Sequence, residues 1–234
     1  MNNNYLLNYV DIDGKVSIRN FFEKIRVVTF AGIKIIFDRV MSLLGLIILL
    51  PVMIIIAIAI KLDSKGPVFF KQVRTGKNGK NFNMYKFRTM VKDNDVHDFS
   101  KKDEFTRVGK ILRRLSIDEI PQLINILLAQ MSFIGPRPWI PDYFDNMNEV
   151  QRARYCVRPG LTGLAQANGR NAITIFDKIN YDLEYIKNYS LKQDIKIVFL
   201  TIKAVFTAHG ADAGKGGIEE DIRELKEFNR SKEV

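Results

Sequence analysis

From Val40 to Ile60 the chain has no charged side chain, and Pro51 stands near the middle of that stretch. Its 21 residues would extend about 30 Å as a straight helix, close to the hydrocarbon thickness of a bilayer. Proline removes a backbone donor and crowds the preceding turn, so a kink is expected at Pro51. The flanks constrain the segment further. Lys24, Arg26, Lys34 and Arg39 precede it, and Lys61, Lys65, Lys71, Arg74, Lys77 and Lys80 follow. Positive charge marks the cytoplasmic side of a membrane segment, and here both flanks are positive. A helix that enters, bends at Pro51 and returns to the same face satisfies both flanks. It is preferred to a straight span and to a helix buried in a soluble core. The 39 residues ahead of the segment, and the lack of a small-residue cleavage site after it, argue against a removable signal.

The remaining composition points to an anionic partner. The 234 residues carry a net charge of +10, which suits nucleic acid, phosphorylated small molecules or anionic lipid. Cys156 is the single cysteine, so no internal disulfide forms, and it is expected to be a small buried hydrophobe. His97 and His209 have no partners at metal-ligand spacing and are expected to be solvated.

Along the chain, a short interfacial helix is expected around Ile18 to Phe30. Pro67 to Arg74 and Asn81 to Arg88 read as two strands joined by the turn Gly76-Lys77-Asn78-Gly79-Lys80. Alternation places Tyr85 and Phe87 on one face and Lys86 and Arg88 on the other. Asp93 to Asp103 reads as loop. Phe105 to Leu115 and Pro121 to Met131 read as helices, from apolar residues at three- and four-residue spacing. A short helix at Glu149 to Tyr155, a glycine-rich loop at Arg158 to Asn171 and a helix at Ile173 to Asn188 follow. Ser190 caps a last helix running to about Ala208. Its stripe of Ile195, Val198, Phe199 and Ile202 suits either the core or a lipid interface. The tail from Gly210 is expected to be flexible.

The chemistry concentrates at Arg113-Arg114-Leu115-Ser116-Ile117-Asp118-Glu119. Ser116 and Glu119 fit a capping box at a helix start, a structural reading that needs no catalysis. The surroundings favour more. Arg137 stands in the stiff turn Gly135-Pro136-Arg137-Pro138, and Arg158 and Arg170 stand beside glycines in Arg158-Pro159-Gly160-Leu161-Thr162-Gly163 and Asn168-Gly169-Arg170-Asn171. Glycine lets a backbone approach a ligand, and arginine grips phosphate oxygens in bidentate fashion. Carboxylates among such arginines suit a diphosphate with a magnesium ion, or an aspartate that attacks phosphorus. Walker, Rossmann, Ser-His-Asp and zinc patterns are absent from the sequence. The rival reading from charge alone is a membrane-anchored module that binds polyanions without catalysis, but acids set among the arginines weaken a nucleic-acid groove.

These residues give the chain a resemblance to the bacterial sugar transferase family, the monotopic phosphoglycosyl transferases that begin lipid-linked glycan assembly. It runs from about Lys34 to about Phe206. Its markers are Lys34-Ile35-Ile36-Phe37-Asp38, Pro51, Tyr85-Lys86-Phe87-Arg88-Thr89-Met90 and Leu115 to Leu123. Met131 to Pro138, Arg158 to Gly163 and Gln166 to Asn171 complete them. The resemblance implies transfer of a sugar 1-phosphate from a UDP-sugar to undecaprenyl phosphate, with release of UMP. It casts Asp118 as nucleophile and Mg²⁺ contact and Glu119 as its helper in the second half-reaction. Lys86, Arg88, Arg113, Arg137, Arg158 and Arg170 are implied to bind substrate, with Asp182 as a further acid. One departure concerns the break. The family commonly has Ser-Pro there, whereas Leu50-Pro51 offers no hydroxyl to a freed carbonyl.

The expectation is therefore an α+β chain, mostly helical. A proline-broken re-entrant membrane helix (34–62) follows an N-terminal extension (1–33). A cytosolic catalytic domain (63–209) with a small β-hairpin and interfacial amphipathic helices comes next, then a flexible tail (210–234). The implied place is the cytoplasmic face of a bacterial inner membrane, with lipids, UDP-sugar and undecaprenyl phosphate as partners, no nucleic acid, and a homodimer admitted.

Overall fold

The computed structural model describes residues 8–10, 16–91, 105–169, 172–206 and 217–233. A short antiparallel hairpin, β1 (Asn8–Val10) with β2 (Val16–Ile18), leads into α1, a helix of 43 residues from Phe21 to Asp63. Asn20 starts α1 through a reciprocal capping box with Glu23. The helix thus begins well ahead of the apolar segment and absorbs the interfacial helix expected separately. It also continues through Pro51 without interruption, so the break expected there does not divide it. Proline deprives only the carbonyl of Ile47 of its donor. Leu46, Leu49 and Met53 pack on the domain on both sides of it.

One stripe of α1 is covered along its length. Val27, Lys34, Asp38 and Ser42 are buried in its first half, and Met53, Ile56 and Ile60 in its second. The opposite side is apolar and open: Phe37, Ile47, Ile48 and Ile55 stay more than half exposed. Both flanks of the apolar segment are fastened to the same body. Ahead of it, Lys34 pairs with Asp194, and Arg158 donates to Asp38 at 2.8 Å. After it, the Asp63 carboxylate accepts from the Val108 amide at 2.9 Å.

The expected hairpin forms from β3 (Phe69–Thr75) and β4 (Asn81–Phe87), antiparallel, with Phe70 opposite Lys86 and Arg74 opposite Phe82. Next come α2 (Arg107–Arg114), a tight turn at Ile117–Glu119, and α3 (Gln122–Leu127). The capping box proposed for Ser116 and Glu119 does not form. Ser116 is left-handed (φ 56°) and makes no side-chain cap bond; its amide donates to the Arg113 carbonyl at 3.1 Å. Ser116 therefore closes α2 instead of opening a helix, and Ile117 folds back onto the cluster that holds Leu112.

The glycine-rich stretch read as loop contains β6 (Gly160–Thr162) and α6 (Leu164–Asn168). Strand β6 runs parallel to β5 (Ser132–Ile134). Its glycines admit backbone, not ligand: a Cβ on Gly160 would lie 2.1 Å from the Gly135 nitrogen. Helices α4 (Pro141–Asp145), α5 (Glu149–Arg152), α7 (Ile175–Lys187) and α8 (Leu191–Phe206) complete the body. Thr174 caps α7 and Ser190 caps α8, the latter as expected. The stripe of α8 faces outward, with Ile195, Phe199 and Ile202 exposed and Ile197 buried. Within the tail expected to be flexible, α9 (Ile218–Glu233) forms and docks through a fully buried Leu225, and Asp221 accepts from the Tyr143 hydroxyl at 2.8 Å. The main core joins α4, α7, α8 and α9 around Ile179, Tyr185, Ile197 and Leu225.

Candidate active site

Asp118 and Glu119 sit in the turn between α2 and α3, and side chains from three directions meet them. The first comes from β4. Asn125 of α3 accepts from the Tyr85 amide at 3.0 Å and donates to the Asn83 carbonyl at 2.7 Å, stitching the strand beside the turn. This brings Lys86 Nζ to 2.6 Å from Glu119 Oε1 and 3.7 Å from Asp118 Oδ2. The second comes from the turn after β5, where Arg137 Nη2 donates to Glu119 Oε1 at 3.0 Å. The third is Arg113, in the last turn of α2, whose guanidinium lies 4.6 Å over the Phe105 ring and whose charge reaches Asp118.

The two carboxyls are driven apart electrostatically. Burial raises Glu119, but Arg137 and Lys86 outweigh it and hold the group down at about 2. At Asp118 burial prevails and the carboxyl is raised, opposed by Lys86 and Arg113 and aided by the charge on Glu119. Asp118 is buried, yet no described side chain donates a hydrogen bond to it. Environments that separate two adjacent acids in this way divide their roles. Glu119 is a fixed anion between two cations, and Asp118 is the carboxyl that burial holds toward its neutral form.

The other expected residues lie elsewhere. Arg88 is buried against the end of α1, donating to the Ser64 carbonyl and hydroxyl at 2.8 and 2.7 Å and to the Lys65 carbonyl at 2.9 Å. Arg158 donates to Asp38 and to the Met131 carbonyl, at 2.8 and 3.1 Å. Asp182 accepts from Arg154 Nε and Nη2 at 2.9 and 2.7 Å, and the same guanidinium stacks 3.6 Å over Trp139. Arg154 also donates to the Arg137 carbonyl at 2.8 Å, so Asp182 is linked to the site through the backbone of Arg137. Arg170, His97 and His209 lie outside the described residues, as does the whole stretch Asp93–Asp103 read as loop. Cys156 is buried, and burial pushes its thiol up to about 12, which suits an inert hydrophobe.

Two groups escaped the sequence reading. Arg74 of β3 shares the hairpin face with Lys86, which strand pairing would have revealed. The buried set of Lys34, Asp194 and Tyr185 had no signal beyond the charges of Lys34 and Asp194. In it, the Tyr185 hydroxyl donates to Asp194 Oδ1 at 2.8 Å.

Known proteins share this arrangement of sequence. The model of the family described as bacterial sugar transferase matches residues 29–208, most of the chain. The chain belongs to the bacterial sugar transferase family. Among its relatives, the uncharacterized sugar transferase EpsL of Bacillus subtilis (strain 168) is 46% identical over 162 residues, covering 68% of this chain and 80% of that protein. The undecaprenyl-phosphate glucose phosphotransferase of Komagataeibacter xylinus is 44% identical over 183 residues, 71% of this chain and 34% of its own length. The UDP-N-acetylgalactosamine-undecaprenyl-phosphate N-acetylgalactosaminephosphotransferase of Aeromonas hydrophila is 41% identical over 192 residues, 78% of this chain. The chain spans 45% of that protein, so it corresponds to less than half of each of these two named transferases. The match of this family member takes in the acid turn, the hairpin and the Arg137 turn alike.

Proposed function

We propose that this chain transfers a sugar 1-phosphate from a UDP-sugar to undecaprenyl phosphate and releases UMP. The observation that carries the reading is the acid turn, where a buried Asp118 that takes no hydrogen bond from a described side chain sits beside a Glu119 locked between Lys86 and Arg137. Family membership and the relatives' names agree with the general reaction.

In the first step an Asp118 oxygen attacks the β-phosphorus. A carboxyl–phosphorus bond forms, the bond to the bridging oxygen breaks, and its electron pair leaves with UMP. In the second step a phosphate oxygen of the acceptor attacks the same phosphorus and frees the Asp118 carboxylate. Lys86, Arg113 and Arg137 hold the phosphate oxygens and neutralise charge as it builds. Glu119 keeps two of those cations aligned and assists the acceptor's attack.

The donor set admits magnesium. Asp118 offers a carboxylate that takes no hydrogen bond from a described side chain, and magnesium takes one or two carboxylates with phosphate oxygens completing its shell. Among the described residues no cluster of three potential ligands holds a metal by itself, which suits an ion that arrives with the diphosphate. When bound, it would supply further neutralisation of the diphosphate charge.

The membrane reading rests on α1 and α8. An apolar surface this continuous is expected to face lipid. Fastening of both α1 flanks to one body supports a segment that dips into a bilayer and returns to the cytoplasmic face. The outward stripe of α8 supports a helix lying in the interface. Purified protein with undecaprenyl phosphate, Mg²⁺ and a panel of UDP-sugars should release UMP for one or more of them. Absence of UMP across the panel would overturn the proposal.

A further inference from the structure

Directly paired residues of an antiparallel ladder share a face. Phe70, Gln72 and Arg74 therefore lie with Lys86, Met84 and Phe82 on one side of the β3–β4 hairpin. Lys86 reaches the acid turn. Arg74 stands four positions along the ladder from it, about 13 Å at the usual strand rise. Between them comes the Arg137 turn: Arg74 Nη1 donates to the Pro138 carbonyl at 3.3 Å, and the Thr75 amide donates to the Trp139 carbonyl at 2.8 Å.

Arg74 and Arg88 are both packed into this body on neutral partners, but Arg88 is engaged at the end of α1 whereas Arg74 stands beside the Arg137 turn. Arg154 and Arg158 each meet an aspartate. The partners of Arg74 are neutral, with Nη2 on Gln72 Oε1 at 2.5 Å and Nη1 on the Pro138 carbonyl, while Nε is shielded from solvent and has no partner among the described residues. No described carboxylate lies within ion-pair distance of it. Glu119 acts on Arg74 only from beyond ion-pair distance, and a shielded cation without a direct counter-charge is unfavourable until an anion reaches it. Burial and the nearby charge of Arg137 agree, lowering the Arg74 guanidinium to about 10.

We propose that Arg74 binds the phosphate of the departing nucleotide. On the transfer reading, on which this inference rests, Asp118 and Lys86 hold the β-phosphate, and Arg74, beyond Arg137 on the same face, holds the α-phosphate. When the bond from the β-phosphorus to the bridging oxygen breaks, the electron pair stays on that oxygen and the α-phosphate gains a negative charge. A guanidinium there stabilises the leaving group as it forms. The sugar nucleotide thus lies along the hairpin face, nucleotide toward Arg74 and sugar toward the acid turn.

The same chemistry would suit the acceptor's phosphate, so the test has two arms. Full-length protein in phospholipid nanodiscs is assayed for inhibition by UMP and for the KM of a short-chain polyprenyl phosphate. Arg74→Gln keeps amide donors for Pro138 and removes the charge; Arg74→Lys keeps the charge and loses the fork. The expected result is a rise of roughly tenfold or more in the UMP inhibition constant for Arg74→Gln. A smaller rise is expected for Arg74→Lys, with the polyprenyl phosphate KM within about twofold in both. UMP inhibition unchanged in whichever variant folds, or a rise confined to polyprenyl phosphate, overturns the assignment. Wild-type protein that releases no UMP from any UDP-sugar overturns the transfer reading itself, a separate outcome.

Discussion

Glu119 is the place where the electrostatics of the site can be weighed. Burial alone would raise its carboxyl, yet Arg137 and Lys86 hold it at about 2 against an ordinary 4.5. At about 1.4 kcal/mol per pH unit, that depression corresponds to roughly 3 kcal/mol in favour of the folded, ionised state. The two cations do not contribute equally. The Arg137 side chain is 46% exposed and lies 3.0 Å from Glu119, so water screens its share; Lys86 is 19% exposed and lies at 2.6 Å. Arg137 exerts the larger pull before screening, and once its exposure is discounted Lys86 carries about half or more of the depression, about 2 kcal/mol. Lys86→Gln keeps a donor of similar reach and removes the charge. The folded carboxyl titrates below the unfolded one, so the stabilisation is complete above about pH 4.5 and is lost as pH falls toward 2. At pH 7 the variant should unfold roughly 4–8 °C below wild type, and the gap should close on acidification below pH 4.5. Thermal unfolding in detergent, followed through the single tryptophan Trp139, measures this at pH 7, 5, 4 and 3. A gap that is absent at pH 7, or equally large at pH 3, would refute the reasoning.

Three further outcomes follow from the same geometry. Because burial raises Asp118 and the attack needs its ionised form, kcat/KM should climb with pH through a group titrating above the free aspartate range of about 3.9. Lys86→Gln should move that limb higher, and a limb at or below the free value would contradict it. Asp182→Asn leaves Arg154 buried without its counter-charge, which should cost about 3–5 kcal/mol by chemical denaturation. Through the Arg137 carbonyl it should also raise KM for the UDP-sugar; an unchanged KM in protein that still folds would separate Asp182 from the site. Treatment with EDTA should abolish UMP release and added Mg²⁺ should restore it, whereas full activity in EDTA would remove the metal from the proposal.

Much of the site was legible because its parts are local. The hairpin follows from β-branched and aromatic residues around Gly76 and Gly79, and Lys86, Arg113 and Arg137 flank the acids in recognisable motifs. What could not be read depended on tertiary pairing. Ser-x-x-Glu is a helix-start pattern in sequence, but Ile117 returns to the Leu112 cluster and turns Ser116 into a helix end. Arg158 and Arg88 look like phosphate ligands until α1 is present, since their partners, Asp38 and Ser64, are distant in the chain. Glycines 135, 160 and 163 are small because two strands meet there, a contact no local pattern announces. The tail from Gly210 is expected to be flexible, whereas Ile218–Glu233 is a helix anchored by the buried Leu225.

The central claim is that Asp118 carries the phosphosugar. Intact-mass measurement of the full-length protein, quenched shortly after mixing with a competent UDP-sugar and no acceptor, tests it directly. The account predicts release of UMP and a mass increase equal to one sugar phosphate, located on Asp118 and absent from Asp118→Asn. Wild-type protein that releases UMP only when the polyprenyl phosphate is present, with no adduct at any time, would contradict it.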